Sequence, residues 1–298
     1  MNTGHPGWRL LTLLLLLGVL RIDAQVATSR KAHSRSPAPA ASADYSRRSV
    51  AQLIDDLTQI DSLAPGIDSA AMYHGFIADD DLGSMGMGVL GVPPPGVPPQ
   101  MRELVRRGPL ALPELMKHLD DNRPTRLEVG NKDPGSWSGQ VGVDVFMFTD
   151  FGEEYDPRSR RSLTDEERNA MPPPVWKDFQ GRYTVKVGDV CYAVIGQIIN
   201  RYLFAARYQA SAGLIVNSPI QSPVLAEKVR MDWGNADAEM LKASLLADIH
   251  AASYRTQPAL ARLRRYFPDT YNALEGDDLK KKKEFEEQEA KRQSQKQR

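Results

Sequence analysis

Apolar positions recur at helical spacing in several separate stretches of this chain, and polar residues mark where each stretch must stop. In SRRSVAQLIDDLTQI (46–60), Val50, Leu53, Ile54, Leu57 and Ile60 form one face, and Ser49 with Gln52 has capping-box spacing. A helix therefore opens the folded region there. MRELVRRGPLALPELMKHLDD (101–121) predicts two short helices. Met101, Leu104 and Val105 share a face in the first, and Gly108-Pro109 ends it. Pro113 suits the first turn of the second helix, where a missing N–H leaves no carbonyl unserved. Leu112, Leu115, Met116 and Leu119 give that helix its apolar side.

The longest ordered pattern is KVGDVCYAVIGQIINRYLFAARYQ (186–209). With Asp189 as the cap and about 100° per residue, Cys191, Val194, Ile195, Ile198, Tyr202, Leu203, Ala205 and Ala206 fall in an apolar arc about 180° wide. An arc that broad predicts a central helix with neighbours on two sides. Further helices are expected in SPVLAEKVRMDW, opening on Ser222 and Pro223, and in NADAEMLKASLLADIHAA, with Met240, Leu241, Leu245 and Ile249 as its stripe. TQPALARLRRYF repeats the cap-and-proline arrangement at Thr256 and Pro258. The fold class expected is mostly α, an irregular helical-pair array or helical bundle, with a single domain over 46–276.

Two excursions interrupt it, at 61–99 and 122–185. The first contains DDDLGSMGMGVLGVPPPGVPP, whose glycines and prolines exclude a regular helix or central strand and predict a long loop. In the second, GQVGVDVFMFTDF (139–151) alternates Val141, Val143, Val145 and Met147, which allows a hairpin or a few extended residues. Thr164 is a candidate cap, and Trp137, Trp176 and Phe179 are expected to pin this excursion to the core. Residues 277–298 are almost wholly polar and read as a solvated helix or disordered tail, with Leu279 and Phe285 alone able to bury.

The RELVRRGPLALPELMKHLDD stretch resembles a HEAT-type repeat unit, whose inner helix opens with a small residue and proline after a glycine turn. No second copy recurs at the repeat spacing, so the resemblance implies helical-repeat-like packing rather than a regular solenoid. It also implies a protein-binding scaffold without a cofactor, and it carries over no catalytic residue.

GWRLLTLLLLLGVLRIDA places Arg9 before an apolar run from Leu10 to Leu20, which is short for a bilayer span. With Ala24 beyond it, a secretory signal peptide over 1–24 is expected, and a retained anchor is the alternative. Gln25–Tyr45 is rich in alanine, serine, proline and basic residues without periodicity, and reads as a disordered linker. No other apolar run reaches membrane length, so no integral membrane segment is expected in the mature chain. The 38 basic residues balance 38 acidic ones, which argues against a nucleic-acid surface.

The single cysteine, Cys191, excludes an internal disulfide. It falls in mid-arc with no histidine near it in sequence, so a core thiol is expected rather than a nucleophile. The opposite face of that helix carries Asp189, Ala193, Gly196, Asn200 and Arg207, flanked by Gln197 and Arg201. Asp189, Gly196, Gln197, Asn200 and Arg201 are accordingly the candidate binding residues. Small residues there admit a ligand or a close backbone, and Asn200 and Arg201 can donate to a carboxylate or peptide carbonyl. The competing structural reading is a close helix crossing whose polar groups satisfy neighbouring loops.

Other signals are weaker. His33, His74, His118 and His250 lack metal-site spacing, so no metal is expected. Asp79, Asp80 and Asp81 lack the spacing of a calcium loop. DFG at 150–152 stands without the other kinase motifs, and the glycine-rich run lacks a nucleotide-binding pattern. Ser84 and Ser218 have no nucleophile-elbow context. The function expected is a noncatalytic secreted or periplasmic scaffold for a protein or peptide, with no cofactor. The alternative is an envelope hydrolase, glycan-directed, using loop carboxylates among Asp144, Asp150, Glu153 and Glu154.

Overall fold

The computed structural model describes residues 44–62, 64, 66–67, 76–78, 96–130, 144–147, 182–209, 213–221 and 223–296. Helices account for most of them. α1 (Val50–Asp56) begins with the capping box its sequence predicts. Ser49 Oγ accepts from Gln52 N at 3.1 Å, and Ser49 N donates to Gln52 Oε1 at 2.8 Å. α2 (Pro99–Arg107) and α3 (Leu112–Lys117) follow, separated by a 3-10 turn over Gly108–Leu110. Gly108 has a φ of 54°, and a Cβ there would run into the Tyr266 ring, whose hydroxyl donates to Val105 O at 2.5 Å. Backbone handedness and a packed aromatic ring thus demand glycine together.

α4 (Val187–Ile199) is the centre of the core. Every residue of it except Gln197 is buried, and it packs against α2, α3 and α6 (Ala238–His250). The expected helix through residue 209 stops ten residues early. Asn200 takes φ 62° and ψ 44°, and Arg201 N donates to Gly196 O at 2.9 Å, closing the end as a Schellman turn. Asparagine tolerates that left-handed conformation, and the apolar residues beyond it belong to a returning chain, not to the helix.

That chain enters β4 (Ala206–Gln209). It pairs antiparallel with β5 (Gly213–Val216), whose other edge pairs parallel with β2 (Asp144–Met147). Of the two possibilities for 139–151, a hairpin or a few extended residues, the described part is the short strand β2, whose partner lies far along the chain. A second sheet joins β1 (Pro124–Gly130) to β3 (Arg182–Lys186), with Glu128 opposite Thr184 and a register shift between Pro124 and Glu128. Thr125 Oγ1 lies at that shift, donating to Val185 O at 2.9 Å and accepting from Leu127 N at 3.1 Å.

The C-terminal part continues with α5 (Pro223–Trp233), α6, α7 (Thr256–Tyr266), α8 (Pro268–Asn272) and α9 (Gly276–Lys296). Asp237 caps α6 by accepting from Met240 N at 2.8 Å. Met240 itself, expected on the apolar stripe, is exposed, because Leu241, Leu245 and Ile249 face the core without it. Thr256 does not cap α7 from outside; it is the first residue of the helix, and its hydroxyl donates to Asp248 O at 3.3 Å. The polar tail is helical, and Phe285 is buried beneath the Arg264 guanidinium, which stands 5.0 Å from the ring centroid. Among the described residues, no helix is long and apolar enough to cross a membrane. Thr164, Trp137, Trp176 and Phe179 lie outside the described residues, as does the glycine-rich run at 82–91.

Candidate functional site

The turn that ends α4 creates the site. After Asn200 the chain doubles back across the helix, so that a Cβ on Gly196 would sit 2.7 Å from Arg201 O and 2.8 Å from Leu203 Cβ. The close approach foreseen at Gly196 is made by the chain's own backbone. Gly66 rests on the next turn in the same way, with its Cβ position 2.8 Å from Ala193 Cβ. Between these segments and α7 lies a part-open cleft whose enclosed volume is about 20 Å³. Gln197, Asn200, Arg201, Tyr202, Phe204 and Arg262 are among its walls.

Three of the five sequence-derived candidates therefore line one cleft, but their polar groups are largely engaged. Asn200 Nδ2 donates to Asp248 Oδ2 at 2.9 Å and to Arg255 O at 3.2 Å. Arg201 Nη1 donates to Asp248 Oδ2 at 2.6 Å and Asn200 O at 2.7 Å, and Nη2 to Ser244 Oγ at 3.3 Å. Both residues are buried. They hold the Schellman turn onto α6 and so shape the cleft more than they present donors to it. Gln197 Oε1 accepts from Ile77 N at 3.3 Å, which ties the short segment Phe76–Ala78 to the rim.

Asp189 lies at the other end of α4. Its carboxylate accepts from Tyr183 Oη at 2.6 Å, Lys186 N at 2.8 Å and Ser218 Oγ. It caps the helix from its third position, and it knots β3, α4 and the chain after β5 together. Complete burial pushes its carboxyl up to about 6, against the pull of those three donors. Tyr183, deprived of water and facing that carboxylate, is held well above the usual phenol range.

Sequence reasoning missed Arg262. It lies on α7 with only 3 % of its surface exposed, and its donors meet neutral oxygens. Nε donates to Gln197 O at 2.5 Å, Nη1 to Pro258 O at 2.9 Å and Nη2 to Gln197 Oε1 at 3.5 Å. Its guanidinium also stands 4.6 Å from the Phe76 ring centroid. Burial brings it down to about 10. The sequence signal was its place one helical turn from both Ala259 and Tyr266, which puts a charge on the buried side of α7.

Aromatic rings form the outer wall. Tyr202 stacks nearly parallel with Phe204, at 5.8 Å and 11°, and with Tyr254, at 5.6 Å and 12°. Tyr254 is 63 % exposed, and Arg255 Nε donates to its hydroxyl at 3.2 Å.

Cys191 is fully buried in the core, and loss of water pushes its thiol far above the ordinary range. Ser218 serves Asp189 and the turn at Ile220–Gln221. His118 Nδ1 lies 2.8 Å from Asp121, and His250 Nδ1 lies 2.6 Å from Asp278. Among the described residues no group of three His, Cys, Asp or Glu is placed to hold a metal. His74, Asp79, Asp80, Asp81, Asp150, Glu153 and Glu154 lie outside the described residues; for Asp144 and Arg207 the backbone strand alone is described.

Fold and site together define a mostly helical protein, with two small sheets among the described residues and a narrow cleft beside its central helix. Comparison with known families, curated proteins and solved structures gives no match.

Proposed function

We propose that this protein is a noncatalytic secreted or periplasmic scaffold that binds a protein or peptide partner across the cleft beside Gly196. The observation that carries the reading is the size and setting of that cleft. Its enclosed volume of about 20 Å³ suits a single small head group. Tyr254, stacked on the wall residue Tyr202 and mostly exposed, extends the site outward as an aromatic contact surface. A ligand that fits such a place is anchored by one group and carries the rest of its bulk over the surface. The HEAT-like stretch at 101–121 agrees with a helical binding scaffold, and the apolar segment after Arg9 agrees with export.

The test is crosslinking capture from the native envelope fraction by the full chain and by Tyr254→Ala. The exposed tyrosine is the right probe because Asn200 and Arg201 hold the fold. A discrete partner captured by the parent chain, and several-fold less by the variant, supports the reading. Equal capture by both, or none by either, rejects it.

A further inference from the structure

We propose that the cleft is a receptor for a peptide carboxylate, with Arg262 as its charge and Tyr202 in its wall; this deepens the binding reading above and rests on it. A buried guanidinium is costly unless a carboxylate neutralises it. Arg262 is 3 % exposed, yet its three hydrogen bonds go to two backbone carbonyls and one side-chain amide oxygen. No carboxylate of the described residues makes an ion pair with it. The neighbouring acid, Asp248, is held by Arg201 and Asn200. The planar fork of Arg262 therefore keeps N–H donors and a full positive charge for a group entering the cleft.

The shape selects the kind of group. Tyr202, one of the lining residues, stacks with Phe204 and Tyr254 beside the opening. The enclosed space of about 20 Å³ holds one water or one carboxylate head. A peptide carboxylate fits, with its chain leaving over Tyr254.

The experiment is a titration of the full chain, followed by NMR shifts, with N-acetylglycylglycine, its C-terminal amide and glucuronate. The acid is expected to bind about ten-fold more tightly than the amide or glucuronate. Arg262→Gln, checked for folding by circular dichroism, is expected to bring the acid down to the amide, whereas Arg262→Lys keeps part of the preference. If Arg262→Gln does not fold, Tyr202→Leu is the second variant, expected to weaken the acid several-fold and leave the amide unchanged. Equal binding of acid and amide overturns the proposal, as does insensitivity to both substitutions. Glucuronate binding as well as the peptide acid also overturns it, in favour of an acidic-glycan site. Partner capture without acid preference removes this inference and leaves the scaffold. Acid preference without capture does the reverse.

Discussion

Arg201 Nη1 stands 2.6 Å from Asp248 Oδ2, with both side chains shut away from solvent, and the same oxygen takes Asn200 Nδ2 at 2.9 Å. One carboxylate thus clamps the end of α4 to α6. Removing one member of a buried pair leaves the other as an uncompensated charge, and that costs more than the pair is worth. Asp248→Ala is expected to lower stability by about 3–5 kcal/mol in urea unfolding. A loss below about 1 kcal/mol would mean that the clamp is solvated and carries little.

Asp189 gives the fold a pH dependence of definite sign. Burial raises its folded pKa to about 6. The unfolded chain titrates near about 4, so between those values the folded state holds the proton more tightly. Its contribution to stability is fully present below pH ~4 and is lost as pH rises through about 6, on the order of 3 kcal/mol in all. Asp121 acts in a separate window: burial opposes its charge, but hydrogen bonds from Arg123 and His118 prevail and hold it at about 2. Denaturant midpoints measured from pH 4 to 7 should fall for the parent chain and stay flatter for Asp189→Asn. Equal slopes in the two proteins would remove Asp189 as the cause.

Much of the helical framework is legible because its signals are local. Ser49 and Gln52 are three residues apart, and Pro113 and Gly108 act within one turn. The strands are not local. Glu128 meets Thr184 and Asp144 meets Gly213, and no short-range pattern announces either pairing. The end of α4 was hidden because Tyr202, Leu203 and Ala205 continue the apolar periodicity past Asn200. Of the cleft's walls, Gln197, Asn200 and Arg201 fall on one face in the spacing of a single helix, but Arg262 lines it from α7, far along the chain. Helical spacing separates Arg262 from the exposed Arg265 nearby, but the oxygens that Arg262 meets on α4 come only with tertiary packing.

Gly196 has no room for a side chain. A Cβ there meets Arg201 O at 2.7 Å and Leu203 backbone N at 3.0 Å, and these are main-chain atoms held by the Schellman turn. Gly196→Ala must therefore move the returning chain rather than a flexible tip. The better helix propensity of alanine offsets only about 1 kcal/mol of that strain. The expected net loss is about 1–3 kcal/mol, with the acid preference of the cleft reduced because Tyr202 moves with the displaced chain. A thermal melt and the peptide titration read the two effects separately; an unchanged melting temperature would show that the turn yields easily.

Cys191 tests the core without touching the site. The thiol has no solvent exposure, and burial holds it far from ionisation, so neither access nor nucleophilicity favours reaction in the folded chain. A disulfide reagent such as dithionitrobenzoate is expected to label it only through unfolding, at a rate that rises with urea in step with global unfolding. Cys191→Ala removes one buried sulfur beside Ile195 on α4 and is expected to cost about 1–2 kcal/mol. Peptide-acid binding should be unchanged by that substitution, because the cleft lies against the other face of the helix, at Ala193 and Gln197. Rapid labelling in the absence of urea would show instead that the N-terminal half of α4 opens on its own, with Asp189 as the first contact to examine.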